Sequence, residues 1–336
     1  MVALLLLGWA ALAAWQYTHE PQIHDLNGFT MGSTWSARVV GPRRIDVVAI
    51  RAGIEAELGE LDRQLSGYRD TAELSKLNAA PIGEWRPLPK HLRAVIEFGR
   101  QLHEDSGGAF DLTVKPLVNL WGFGVAEPRL ELPSETEIAA ARARLGNDRL
   151  ELSADGSKIR RLADVTIDVD AIAPGYAADV IAAWLDDRGL PDHLVEIGGE
   201  LRADGHRPDG TAWRVGIERP IMARGDIEQV IAVSGQAIAT SGDYRDFFEI
   251  AGQRYSHTLD PATGRPVRHD LASVTVAART GLAADGYATT LMVLGPDRGM
   301  SWADERSVGV YMILRDANGT LHERYNAAFA PLLVAN

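Results

Sequence analysis

The second half of the chain carries five apolar runs of strand length, His193–Ile197, Trp213–Ile217, Val230–Ser234, Val274–Ala277 and Val308–Leu314, with glycine turns between them. So many strand-forming stretches oblige the chain to build a sheet. The first half reads differently. Trp35-Ser36-Ala37-Arg38-Val39 alternates with the period of a half-buried strand. Ile50, Ile54, Leu58, Leu61 and Leu65 then form an apolar helical stripe. A second helix is predicted from His91 to Glu104, with Leu92, Val95, Ile96 and Leu102 inward, stopping at Gly107-Gly108. Ser134 and Glu137 have the spacing of a capping box that opens a helix through Leu145. A further helix runs from Tyr176 to Asp187, ending at Gly189. Strands joined partly by hairpins and partly by helices predict a mixed α+β core. No linker divides it, so residues 21–336 are expected to form one unit.

Composition narrows the function. With 46% hydrophobic and 24% charged residues among 336, the chain is globular rather than disordered. It has no cysteine, which excludes disulfides, thiolate metal sites, catalytic cysteines and a lipid-modified N-terminal cysteine. The 34 Lys and Arg against 46 Asp and Glu give a formal charge of −12, which opposes nucleic acid as a partner. Residues 1–20 open with an uncharged apolar run, Val2 to Ala10, followed by Ala11-Leu12-Ala13. This pattern is that of a secretory signal peptide or an N-terminal anchor. The expected location is the periplasm or the outer face of the inner membrane.

Several familiar sites are absent. There is no phosphate-binding P-loop, no H-E-x-x-H and no G-x-S-x-G, and Gly122-Phe123-Gly124 lacks the third glycine of a dinucleotide fingerprint. Three constellations remain. Asp285 and Thr289 lie four apart before an apolar helical run, so a carboxylate and a hydroxyl share one face. That pair suits a hard cation such as Mg²⁺; it also reads as an N-cap at Asp285 with Thr289 incidental. Asp168-Val169-Asp170-Ala171-Ile172-Ala173-Pro174 reads as a strand-to-helix junction. It could offer a carboxylate and a free carbonyl, or simply cap a helix through Asp170. His257 stands among hydroxyls and a carboxylate, as a general base or a structural histidine would. Gly108-Ala109-Phe110-Asp111 and Trp121-Gly122-Phe123-Gly124 place aromatics that pack on a planar ligand or fill a core. Ala239-Thr240-Ser241-Gly242-Asp243-Tyr244 reads as a polar turn between strands.

Taken in order, these segments resemble the ApbE-type FAD:protein FMN transferases (flavin transferases). The resemblance starts at Met31-Gly32-Ser33-Thr34-Trp35 and passes through Leu65-Ser66-Gly67-Tyr68, Leu74-Ser75-Lys76-Leu77-Asn78 and the segments just quoted. It continues with Glu196-Ile197-Gly198-Gly199-Glu200 and Ser256-His257 through Asp260-Pro261-Ala262-Thr263-Gly264, and ends at the helix after Thr289. It implies a core of largely antiparallel strands with flanking helices. It implies Mg²⁺-dependent transfer of FMN from FAD to a threonine of an acceptor flavoprotein, a membrane or periplasmic redox protein, with release of AMP. The implied flavin-nucleotide contacts are Met31, Tyr68, Ala109, Phe110, Asp111, Asp168, Pro174 and Leu259. The implied metal ligands are Asp285, Thr289 and the carbonyl of Ala171, and the implied base is His257.

Two departures from the family pattern stand out. Pro174 occupies a place where many relatives carry Lys or Glu, and Gly286-Tyr287 separates the two side-chain metal ligands. Tyr287 is expected to point away from the metal. Two alternatives stay open: hydrolysis of FAD to FMN and AMP, and non-catalytic FAD binding or carriage.

Overall fold

The computed structural model describes residues 20–124, 131–221, 225–244, 247–250 and 253–334. At its centre is an eight-stranded sheet: β1 (Pro21–Thr30), β2 (Ser33–Pro42), β3 (His193–Ile197), β4 (Glu200–Asp204), β5 (Gln236–Gly242), β6 (Leu271–Ala278), β7 (Gly309–Arg315) and β8 (Leu321–Tyr325). Strand order in space follows chain order, and every neighbouring pair is antiparallel. The sheet is therefore a meander interrupted by excursions. Between β2 and β3 lie, among the described residues, six α-helices: α1 (Val47–Leu65), α2 (Glu73–Ala79), α3 (Lys90–Asp105), α4 (Lys115–Leu120), α5 (Glu135–Arg142) and α6 (Ala173–Asp186). Between β6 and β7 come α7 (Gly281–Leu294) and α8 (Pro296–Glu305).

Both faces of this sheet are covered, which explains why its strands read as continuous apolar runs. Val195, Ile197, Ala237, Ala239, Val274, Val276, Val310 and Met312 face the helices, in one cluster with the stripes of α1, α6 and α7. Their alternating neighbours Leu194, Ile238, Ala277, Tyr311 and Ile313 face the other way. There they pack against a separate hairpin, Trp213–Glu218 with Ile227–Val233. Each fully buried Leu, Ile or Val contributes about 1.5–3 kcal/mol relative to exposure. No helix among the described residues is long and apolar enough to cross a membrane. The expected leader, residues 1–19, lies outside the described residues.

The predicted stripe of α1 is buried at Ile50, Ile54, Leu58, Leu61 and Leu65. The capping box also forms: Ser134 Oγ accepts from the Glu137 amide, and the Glu137 carboxylate accepts from the Ser134 amide. The helix it opens stops at Arg142, short of Leu145. The Tyr176–Asp187 helix starts three residues earlier, at Ala173, with Pro174 in its first turn. Ala239–Gly242 is not a turn but the end of β5, where Thr240 pairs with Thr275 and their hydroxyls bond at 2.8 Å. The sequence reading missed β1, β4 and β8 because their polar residues hide the alternation; their neighbours' registers place them.

One buried histidine couples this packing to pH. His91 is 7% exposed on α3, and its Nδ1 lies 2.9 Å from the Tyr176 hydroxyl. Burial, and next the neighbouring Lys90, push its imidazole below the usual histidine range. Its contribution to stability is present above the unfolded pKa of about 6.5 and is lost as pH falls through the lower folded value. His91→Gln should therefore shrink the drop in melting temperature between about pH 7.5 and pH 5. An undiminished drop would remove His91 from this role.

Candidate functional site

Beside the sheet opens a cleft of about 1240 Å³. One wall is the tip of the β1–β2 hairpin, from Phe29 to Trp35. The rest of the lining combines α1 residues such as Leu58 and Asp62 with Tyr68, Asp170, Ala173 and Pro174. The hairpin turn is Met31-Gly32, between the paired Thr30 and Ser33, with φ of +47° and +72°. Two consecutive positive φ values make the tight turn that matches strand twist, and Asn-Gly is its usual sequence. A methionine in that conformation carries strain of about 1–3 kcal/mol, which proteins concentrate at functional sites.

Around Tyr68 and Asp170 lies a polar cluster. The Tyr68 hydroxyl donates to Asp170 Oδ2 at 2.5 Å. Lys115 Nζ reaches Asp168 Oδ2 at 3.0 Å, Asp170 Oδ2 at 3.3 Å and the Tyr68 oxygen at 3.3 Å. Burial opposes the charge of Lys115, but Asp168 and Asp170 hold its ammonium above the usual lysine range. Burial, and next the charge of Asp170, push the Asp168 carboxyl up, while Lys115 pulls it down. The one local sign of Lys115 in the sequence is a lone charge in the run Thr113–Leu117.

The segment carrying Asp168 belongs to no sheet, contrary to the expected strand. Asn78 takes the place of a neighbouring strand: its side chain bonds both the amide and the carbonyl of Ile167, at 2.8 Å each. The Asp168 amide donates to the Leu112 carbonyl at 2.7 Å, which ties this segment to Ala109–Thr113. In that stretch Asp111 Oδ1 accepts from the Thr113 amide and hydroxyl, and His103 Nδ1 lies 2.9 Å from the Phe110 carbonyl. The Phe110 ring itself is buried in the main core.

The second centre is the crossing of α6 and α7 near their N-termini. Each helix satisfies the other's unpaired amides. Asp179 accepts from the Gly281 and Leu282 amides at 2.6 and 2.9 Å, and Asp285 Oδ2 accepts from the Gly175 amide at 3.0 Å. The backbones touch: a Cβ at Gly175 would lie 2.2 Å from the Gly281 carbonyl oxygen. Asp285 is thus neither an N-cap of its own helix, a role Thr280 fills, nor exposed. Asp170 caps nothing either, since α6 begins after Ile172 without a side-chain cap. Burial, and next the charge of Glu200, push the Asp285 carboxyl well above the usual range, against the pull of the Gly175 amide.

Because the Gly175 amide is drawn to Asp285, the carbonyl of exposed Ala171 accepts no hydrogen bond among the described residues. Thr289 follows Asp285 one turn on, and its hydroxyl also bonds nothing among them. Tyr287 turns away from this group onto Phe98 and Trp302. No cluster of three or more His, Asp or Glu able to hold a metal occurs among the described residues. A cation held by Asp285, Thr289 and the Ala171 carbonyl would rest on one carboxylate and two neutral oxygens, with the charge of Glu200 also acting on Asp285. The donor set is one that fits a hard divalent ion.

His257 and Leu259 occupy a third region, the excursion between β5 and β6. Leu259 is buried with Trp121 and Tyr255, and His257 meets the edge of Phe123 at 6.3 Å between ring centres. The Trp121 indole donates to the Gly264 carbonyl at 2.8 Å, pinning this turn to α4. Of the residues expected from sequence, Met31, Tyr68 and Pro174 line the cleft and Asp168 underlies it. Asp285 bonds the amide of Gly175 in the first turn of α6, four residues after Ala171. Ala109, Phe110, Asp111 and Leu259 are not among the lining residues of the cleft.

Comparison with known proteins adds to this geometry. The family model described as the ApbE family matches residues 31–314. The FAD:protein FMN transferase of Klebsiella pneumoniae (strain 342) is 37% identical over 298 residues, spanning 88% of this chain and 85% of the relative. That of Vibrio cholerae serotype O1 is 38% identical over 314 residues, spanning 93% of each. The crystal structure of Pseudomonas stutzeri flavinyl transferase ApbE, apo form, superposes with a TM-score of 0.84 at 40% identity, covering 94% of this chain and 98% of that one.

Proposed function

The chain belongs to the ApbE family, and from that premise we propose that it is a Mg²⁺-dependent FAD:protein FMN transferase. In this reading the threonine hydroxyl of an acceptor flavoprotein attacks the phosphorus of the FMN half of FAD. A phosphoester forms, the bond to the AMP phosphate breaks, and AMP leaves. The observation that carries the proposal is the Asp285 carboxyl, buried against the first turn of α6 with the Gly175 amide as its donor, while the Ala171 carbonyl just ahead of that turn accepts no hydrogen bond among the described residues. A carboxyl buried with so little compensation is held neutral on its own, and a bound cation would restore its charge.

Asp285, Thr289 and the Ala171 carbonyl would hold the magnesium ion, which supplies positive charge to the diphosphate as it is cleaved. The protein's own residues do the rest. The cleft between the β1–β2 hairpin and Tyr68 receives the dinucleotide; its volume of about 1240 Å³ exceeds the roughly 300–1000 Å³ of ordinary small-molecule pockets. Pro174 lines that cleft with a fixed backbone and no side-chain charge. His257 takes the threonine proton. An overall charge of −12 is compatible with an anionic substrate because the cation neutralises it locally. The apolar start of the sequence supports action outside the cytoplasm, on membrane or periplasmic redox proteins.

Incubation with FAD, Mg²⁺ and a threonine-bearing acceptor should add the mass of FMN to the acceptor. Free FMN without that addition would show hydrolysis instead, and unchanged FAD would show a carrier. His257→Ala should lower the transfer rate about 10²–10⁴-fold, the usual worth of a general base. Near-normal transfer by that variant would take the base role from His257.

A further inference from the structure

We infer that Lys115 is a positioning residue of the cleft, holding the Tyr68 ring as a fixed platform for a planar ring of FAD. The inference rests on the FAD reading above. Lys115 contributes no side-chain surface to the cleft lining, so it acts through its neighbours. Its side chain is only 12% exposed, and lysines are rarely so buried unless paired. An ammonium has three N–H donors, and three acceptors stand around this one: Asp168 at 3.0 Å, Asp170 at 3.3 Å and the Tyr68 oxygen at 3.3 Å. The nitrogen also lies 4.8 Å from the centre of the Tyr68 ring, within cation–π range.

Tyr68 is 58% exposed, and an exposed tyrosine ordinarily samples several rotamers. Here its hydroxyl is held from both sides, donating to Asp170 and accepting from Lys115. The ring is therefore ordered before any ligand arrives, which lowers the entropic cost of binding. Lys115 has a second effect. Asp168 and Asp170 stand beside a cleft that takes an anionic diphosphate, and without the ammonium their charges would go unbalanced.

FAD affinity, measured by flavin fluorescence in EDTA so that no metal takes part, tests this apart from catalysis. Lys115→Met is expected to weaken binding about tenfold, and Tyr68→Phe, which keeps the ring and loses its anchor, about threefold to tenfold. Since one residue acts through the other, the double variant should bind within about twofold of Lys115→Met, less than the roughly threefold or more that independent losses would add. Lys115→Arg, which keeps the charge and the donors, should restore binding to within about threefold of the parent. Losses that multiply in the double variant would overturn the inference. So would affinity within about twofold of the parent in Lys115→Met. Tyr68→Phe carries the test if Lys115→Met does not fold, and unchanged affinity in that variant would equally refute it. A parent protein that binds no FAD would instead refute the functional reading.

Discussion

Asp285→Asn is expected to cut FMN transfer by roughly a thousandfold, about 4 kcal/mol of barrier, while leaving the metal-free protein at least as stable as the parent. The two effects have one cause. Asp285 is 6% exposed and receives one hydrogen bond, from the Gly175 amide. Burial and Glu200 both disfavour its charge, so in the absence of a cation the carboxylate is a cost to the fold. Asparagine keeps an oxygen for the Gly175 amide and removes the charge. It also removes the one anionic ligand proposed for Mg²⁺, and neutral oxygens alone bind that ion poorly. Thermal melting in EDTA and transfer assays in saturating Mg²⁺ separate the effects. Retained transfer would sink the metal assignment; a large loss of melting temperature in EDTA would show that the charge is structural.

Gly175→Ala should be damaging in both respects. A methyl group there would lie 2.2 Å from the Gly281 carbonyl oxygen and 2.7 Å from Asp285 Cβ. The first obstacle is backbone, which no rotamer change relieves, so α6 and α7 must separate. Overpacking of this kind costs about 1–3 kcal/mol. Separation also breaks the reciprocal capping by Asp179 and Asp285. Asp285 then moves relative to the Ala171 carbonyl, and transfer should fall at least about a hundredfold even in the fraction that folds. Chemical denaturation and transfer assays would check this. Stability within about 0.5 kcal/mol of the parent would show that the crossing is looser than its geometry implies.

The candidate site is legible in sequence where chemistry sits in short motifs and illegible where it depends on partners. Asp285 and Thr289 are visible because four residues make one helical turn. The reading of Asp285 as an N-cap was open in sequence because nothing local says that Gly175, 110 residues away, supplies the amide it binds. Lys115 is illegible for the same reason: its acceptors Tyr68 and Asp170 are 47 and 55 residues distant. Asn78 looked like one letter of a landmark, and its role as a substitute strand partner for Ile167 emerges only from the fold.

By itself the sequence determined the α+β class, the stripe of α1, the capping box at Ser134 and the strand His193–Ile197. These depend on periodicity and near neighbours, which a linear pattern encodes directly. Only the tertiary structure decided that eight strands form one antiparallel meander, that both its faces are covered, and that α6 and α7 cap each other. The reason is physical. Burial, hydrogen-bond satisfaction and charge balance are set by distances between elements, and those distances exist only once the helices have packed on the sheet.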